Sequence, residues 1–327
     1  KNDLRHGQGV FNYSSGAKYD GQWSNGLIDG YGNYNYSNGD EYKGDFKEGK
    51  MHGYGSYVFK NGNEYHGQWN NDVMEGKGIY SSSDGNNYEG TFSEGQLNGY
   101  GSFRSYLGET YVGEWMNGMM HGRGLYIFAN GSRYDGQWIK DKRTGYGIYN
   151  YANKNVYEGI FLNGQRNGKG TFHKSNGDIY KGDWEKDKIH GQGIYFFSNG
   201  DIYNGEWIND TMYGQGTMDF DDGRKYKGSF IENKIEGRGI FSFPDGRNYE
   251  GEWIEGKMNG KGIFTDLAGN KYEGNWEDNK YNGIGLLVSS IGDEYEGFWL
   301  QGKREGKGKQ IFHNGDEYEG DWINDFK

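Results

Sequence analysis

The chain has 327 residues, of which 62 are glycine, one is proline and none is cysteine; aromatics make up 18 % and the formal net charge is −11. Without cysteine there are no disulfides and no thiolate zinc sites, and no run of about 18 apolar residues is present to cross a membrane as a helix. Alanine, leucine and valine are scarce, so a core has to be built from rings lying on glycine, and the acidic balance opposes binding to nucleic-acid phosphate.

Taken in chain order, the sequence begins in mid-repeat at Lys1, with Gly7 and Gly9 belonging to a truncated first repeat, residues 1–18. From Tyr19 onward the pattern Tyr-x-Gly-x-(Trp/Phe) recurs fourteen times at an unbroken 23-residue step, ending at Tyr318. Thirteen full repeats cover 19–317, and a partial one occupies 318–327. The expected organisation is therefore one continuous array over 1–327, part of a longer protein.

With the first Tyr of a repeat as position 0, positions 0, 2 and 4 alternate with 1 and 3 at strand period, giving an aromatic–Gly–aromatic face opposite a polar one. A loop follows in which position 7 is always Gly, Asp or Asn (Gly26, Asp72, Asn233), the residue types that best tolerate positive φ. A second strand starts at the Gly-x-Gly of positions 11 and 13 and carries rings at 15 and 17, as in Tyr126 with Phe128. Position 20 usually follows Asn or Asp, as in Asn38-Gly39 and Asn199-Gly200, the preferred pair for a tight hairpin turn; Lys154 is the one exception. The pattern predicts an all-β fold: an elongated, single-layer antiparallel meander of β-hairpins, a right-handedly twisted rod of 28 strands and roughly 130 Å.

No motif for chemistry emerges. The dinucleotide fingerprint needs a glycine at position 16, which no repeat has, and no Gly-Lys continues to Ser or Thr as a phosphate loop would. His6, His52, His121 and His190 share position 10 but lie at least two repeats apart, too far to share a metal. Catalysis, a cofactor and a bound metal are not expected.

Two features suggest contact with partners. Position 9 is mostly apolar, with Met51, Met74 and Met120 among five methionines on that line, interrupted by Arg143 and Arg166. It reads as a packing ladder between repeats or as an adaptable stripe for a partner helix. Charge is uneven as well: residues 134–190 carry a net +3, including Lys142, Arg143, Arg166 and Lys169, whereas 249–327 carry −7. An anionic partner, if any, is expected at the basic middle.

The repeat resembles the MORN motif (membrane occupation and recognition nexus), seen in Tyr249, Gly251, Trp253, Gly256, Gly260 and Gly262, and the match runs through essentially the whole chain. The resemblance implies a single-sheet array of hairpins, sometimes paired with a second copy. Similar arrays occur in ciliary radial-spoke heads, parasite cytoskeletal scaffolds, junctophilins, alsin-like proteins and plant phosphoinositide kinases, where any enzyme lies in another domain.

The expected function is a non-catalytic scaffold holding other proteins in a cytoplasmic, cytoskeleton-associated assembly, a ciliary axoneme radial-spoke head or a protist cortical cytoskeleton. Self-association through open sheet ends is a further expectation. The alternatives are a membrane-to-cytoskeleton tether that binds phosphoinositides at the basic middle, which the net charge disfavours, and the regulatory array of a larger enzyme. Nucleic acid is not an expected partner.

Overall fold

The computed structural model describes residues 4–327. Among them are 28 β-strands and no helix, and every paired strand runs antiparallel to its neighbour. The chain divides into two compact units, Lys1–Gln165 and Arg166–Lys327.

The first unit opens with β1 (Gly7–Asn12), β2 (Lys18–Ser24), β3 (Leu27–Asn35) and β4 (Glu41–Lys47), each paired with the next. Their register places glycine opposite glycine in succession: Gly9 with Gly21, Gly21 with Gly32, Gly32 with Gly44. The result is a spine of bare backbone crossing the strands, and the position-0 tyrosines lie on it. A Cβ built on Gly21 or Gly32 would come within 2.4 Å of the Tyr19 hydroxyl, so the missing side chains are the seat of that ring. Tyr19 is wholly buried, and its hydroxyl donates to the Gln22 carbonyl at 2.9 Å. Each ring then meets those of position 4 edge-on: Tyr19 lies 5.2 Å from Trp23 and 5.5 Å from Phe46 of the following repeat. The second unit repeats the design, with Gly251 opposite Gly262 beneath Tyr249, which sits 5.1 Å from both Trp253 and Trp276.

The two kinds of turn differ from expectation. The tight two-residue turn lies within the repeat, at positions 6 and 7, where Asn25 (φ 52°) and Gly26 (φ 87°) both take the left-handed conformation that a type I′ turn requires. Asn38-Gly39 instead closes a three-residue loop. The Gly39 N–H donates to the Tyr36 carbonyl at 3.1 Å, the Tyr36 N–H donates to Asp40, and only the glycine is left-handed (φ 95°). Lys154 adopts φ 70° and preserves the same turn, its N–H donating to the Tyr151 carbonyl.

The expected alternation also breaks once per repeat. Register shifts after position 2 as a bulge, and the position-3 side chain folds over it: Gln22 Oε1 accepts the Tyr31 N–H at 2.9 Å, and Gln68 Oε1 accepts that of Lys77 at 2.7 Å. Position 3 is therefore partly a cap for its own hairpin.

Repeats are stitched to one another at both turns. The Asp72 N–H donates to the Met51 carbonyl, and Asp72 Oδ1 accepts the Met51 N–H at 2.8 Å; where position 7 is glycine, as at Gly49, only the first of these bonds forms, to Ile28. At the other turn, Asp40 Oδ1 accepts the Lys60 N–H at 2.8 Å, while Asp40 Oδ2 accepts the Tyr57 hydroxyl. One repeat departs from this order. Tyr88 is only half-buried, Leu97 Cδ2 occupies the place above Gly90 and Gly101, and the Trp115 indole N–H has no acceptor.

Candidate protein-binding faces

The ringed face of the sheet is filled by its own side chains. The position-0 tyrosines of most repeats are fully buried and the position-4 tryptophans nearly so, and every tryptophan N–H but that of Trp115 reaches back to a glycine carbonyl of the preceding repeat, as Trp207 does to Gly193 at 3.3 Å. Burial raises the phenol pKa values, Tyr19 to about 12, so these hydroxyls stay protonated donors at neutral pH.

Position 9 lies on this same face. Met51 is buried against Phe46, while Met74 and Met120 are half-buried opposite Trp69 and Trp115. Arg143 and Arg166 occupy the same place in their repeats. The Arg143 guanidinium lies 4.9 Å over the Tyr149 ring and donates to the Gly164 carbonyl at 2.6 Å. Arg166 lies 4.1 Å over Trp184, with Nε 3.1 Å from Asp187 Oδ1. Arg304, which its sequence context did not single out, repeats this arrangement on Trp322 and Asp325. Lys142 is exposed beside the tight turn, and Lys169 lies on the opposite face, paired with Asp183 at 2.7 Å. The methionines and the two arginines thus take the same place in their respective repeats, against the rings, and the two lysines stand apart from it.

The opposite face is open. Positions 1, 3, 12 and 14 project from it; position 3 leans back over the bulge of its own hairpin, and the other three carry side chains of widely different kinds from repeat to repeat. In the first unit, Tyr31, Tyr54 and Tyr100, all at position 12, are 50 %, 61 % and 66 % exposed and line a trough with Ile79 and Val112. In the second unit a comparable trough crosses residues 215–296, lined by Ile240, Ile263, Ile284 and Leu286 and by charged side chains. Large hydrophobics left in water across a sheet face signal contact with something else. Sequence reasoning missed this face because it followed the invariant positions; the signal available was four position-12 tyrosines, Tyr31, Tyr54, Tyr100 and Tyr146, outside the repeat signature.

Among the described residues no group of three or more His, Asp or Glu is placed to hold a metal ion, and no helix is long and apolar enough to cross a membrane.

No curated protein sequence matches the chain. Among solved structures it is similar to the TCP10 domain of Danio rerio CPAP in complex with a STIL peptide, at 11 % identity over 75 % of this chain and 99 % of that one, with a TM-score of 0.36. It is also similar to the TCP domain of Drosophila melanogaster SAS-4 in complex with a proline-rich motif of Ana2 (14 % identity, 46 % and 83 % coverage, TM-score 0.31) and to a streptogramin B lyase (14 %, 81 % and 81 %, TM-score 0.14). The MORN repeat family model matches fourteen consecutive segments, from 1–18 and 19–41 through 272–294 and 295–317. With the glycine spine, the seated tyrosines and these matches spanning nearly its whole length, the chain belongs to the MORN repeat family.

Proposed function

We propose that this chain is a non-catalytic scaffold that holds protein partners in a cytoskeletal assembly, such as a ciliary radial-spoke head or a protist cortical ring. The observation that carries the reading is the asymmetry of the two faces. One is filled by rings that pack repeat on repeat, while the other presents tyrosine and aliphatic side chains to solvent over a bare backbone floor. Such a face offers equivalent positions about 10 Å apart, two strands per repeat, which suits holding partners at set intervals. The cytoskeletal placement rests on the resemblance to arrays of that kind.

The phosphoinositide tether has less support. Its strongest candidates, Arg143 and Arg166, hold their guanidinium groups against rings and repeat backbone, and the chain is acidic overall.

The test is detergent extraction of cells containing the native protein, followed by cross-linking and mass spectrometry of what stays with it. Retention in the insoluble cytoskeleton, with cross-links from open-face lysines such as Lys43 and Lys77, is the expected result. Release with detergent-soluble membranes would overturn it in favour of the tether.

A further inference from the structure

The trough of the second unit has walls that alternate in chemistry. Register sets Ile240 beside Glu250, Glu250 beside Ile263, Ile263 beside Glu273, Glu273 beside Leu286 and Leu286 beside Glu296. On one flank Ile284 pairs with Phe298, and these are 59 % and 39 % exposed. No other element covers this surface among the described residues, so a strip of apolar and acidic side chains faces water in regular alternation.

We propose that this trough seats an amphipathic, basic α-helix from a partner protein, laid across the strands; the proposal rests on the scaffold reading and gives one of its partners a chemistry. Charge selects the sign. Glu250 and Glu296 have no ion pair among the described residues, Glu273 is held only by an exposed Lys271, and residues 249–327 carry a net −7. Three cations line the same trough but stand off the glutamate row: Arg238 is tied to Glu252 at 3.4 Å, Lys227 ends the acidic run, and Lys261 stands on the flank, so the free negative charge belongs to the central row.

Spacing selects the helix. Adjacent strands are about 4.8 Å apart, so successive glutamates of the row stand about 10 Å apart with an apolar residue midway. Seven helical residues advance about 10.5 Å, and the three- to four-residue step between them reaches the midpoint on the same face. A helix with Lys or Arg at one heptad position and Leu or Ile three residues later therefore sets each cation on a glutamate and each aliphatic residue on Ile263 or Leu286. An extended strand fails this match, because its same-face side chains recur every 6.6 Å or so.

The experiment titrates the full chain with a synthetic peptide of about three heptads carrying Lys and Leu at those positions, read by fluorescence anisotropy. Two comparators are a scrambled peptide of the same composition and one with Glu replacing each Lys. The designed peptide is expected to bind, more weakly as salt rises, and both comparators to bind roughly tenfold more weakly or not at all. Glu250→Lys with Glu296→Lys is expected to weaken binding by about tenfold, and Ile284→Ser several-fold, with unchanged circular dichroism because all three side chains are exposed. Absence of binding, equal binding of the scrambled peptide, or affinity untouched by the variants would overturn the helix site. Cytoskeletal retention separates the two readings: if it persists while the peptide fails, the helix site alone is wrong, and if it fails the scaffold itself is wrong.

Discussion

Position 13 is glycine in every repeat, yet its glycines should not be equally necessary, and Gly32 and Gly9 make the comparison. Neither has a positive φ, so the cost of alanine is set by space alone. At Gly32 the added methyl would lie 2.4 Å from the Tyr19 hydroxyl and 2.5 Å from its ring, and Tyr19 is fully enclosed. The ring must leave its seat, losing its burial, its hydrogen bond to Gln22 and its edge contacts with Trp23 and Phe46. An aromatic side chain buries some 150–250 Å², and its loss from a core costs about 3–5 kcal/mol. At Gly9 the nearest atom is Trp23 Cδ1 at 3.5 Å, an ordinary contact. Gly9→Ala is thus expected to be neutral, or stabilising by up to about 1 kcal/mol through the unfolded chain. Because a repeat array need not unfold in one step, the assay is amide hydrogen exchange read on the segments around each site. Gly32→Ala should accelerate exchange of residues 19–46 by at least about a hundredfold, at 1.4 kcal/mol per decade. In a Tyr19→Ala background the same substitution should cost much less, so the double-mutant cycle is strongly non-additive. Equal effects at Gly9 and Gly32, or additivity in the cycle, would refute the seat.

Three further outcomes are expected. Asp210 combines φ 70° with an Oδ1 that accepts the Ile189 N–H at 2.8 Å, so Asp210→Gly should cost about 1 kcal/mol, the lost bond, and Asp210→Ala about 2 or more, since the backbone is then strained too; local exchange at 188–212 measures both. Leu97→Ile, the residue that accompanies the seated tyrosines Tyr19, Tyr180 and Tyr226 in their repeats, should let Tyr88 settle onto Gly90 and Gly101, raising exchange protection at 88–104. For Asp178, burial opposes ionisation, but hydrogen bonds from Tyr195, Asn176 and Ser198 hold its pKa at about 2. The folded value lies below the unfolded one of about 3.9, so its stabilisation is full at neutral pH and disappears as pH falls from about 4 through 2. Asp178→Asn should flatten that part of the acid melting profile around 174–198.

Much of the strand arrangement was legible because period and chemistry agreed: a ring can lie flat only where two strands lack side chains, and the 23-residue step brings such pairs together each time. Other features were hidden. Asn38-Gly39 and Asn25-Gly26 are the same dipeptide in different turns, and what separates them is the bulge and the number of residues the flanking strands leave unpaired. Positive φ accounts for only part of the restriction at position 7: Asp72 also carries an acceptor for the neighbouring repeat, a contact 21 residues away that no local rule contains. Tyr88 matches the repeat as well as any tyrosine, yet the place above Gly90 and Gly101 is taken by Leu97 Cδ2, a neighbour the repeat signature does not include. The candidate faces were least legible of all. Alternation told which residues share a side, but which side remains open depends on how completely the rings cover their own.

Each repeat borrows its closing contacts from the one beside it: the Trp207 N–H acceptor lies 14 residues upstream, and the Met51 N–H acceptor 21 residues downstream. A gene encoding such a chain tolerates recombination only in whole periods. Loss or duplication of exactly one repeat joins partners of the same kind across the new junction, whereas an insertion of a few codons misaligns every bond that crosses it. Array length is therefore heritable in steps, and the number of repeats can change without any new fold having to be found.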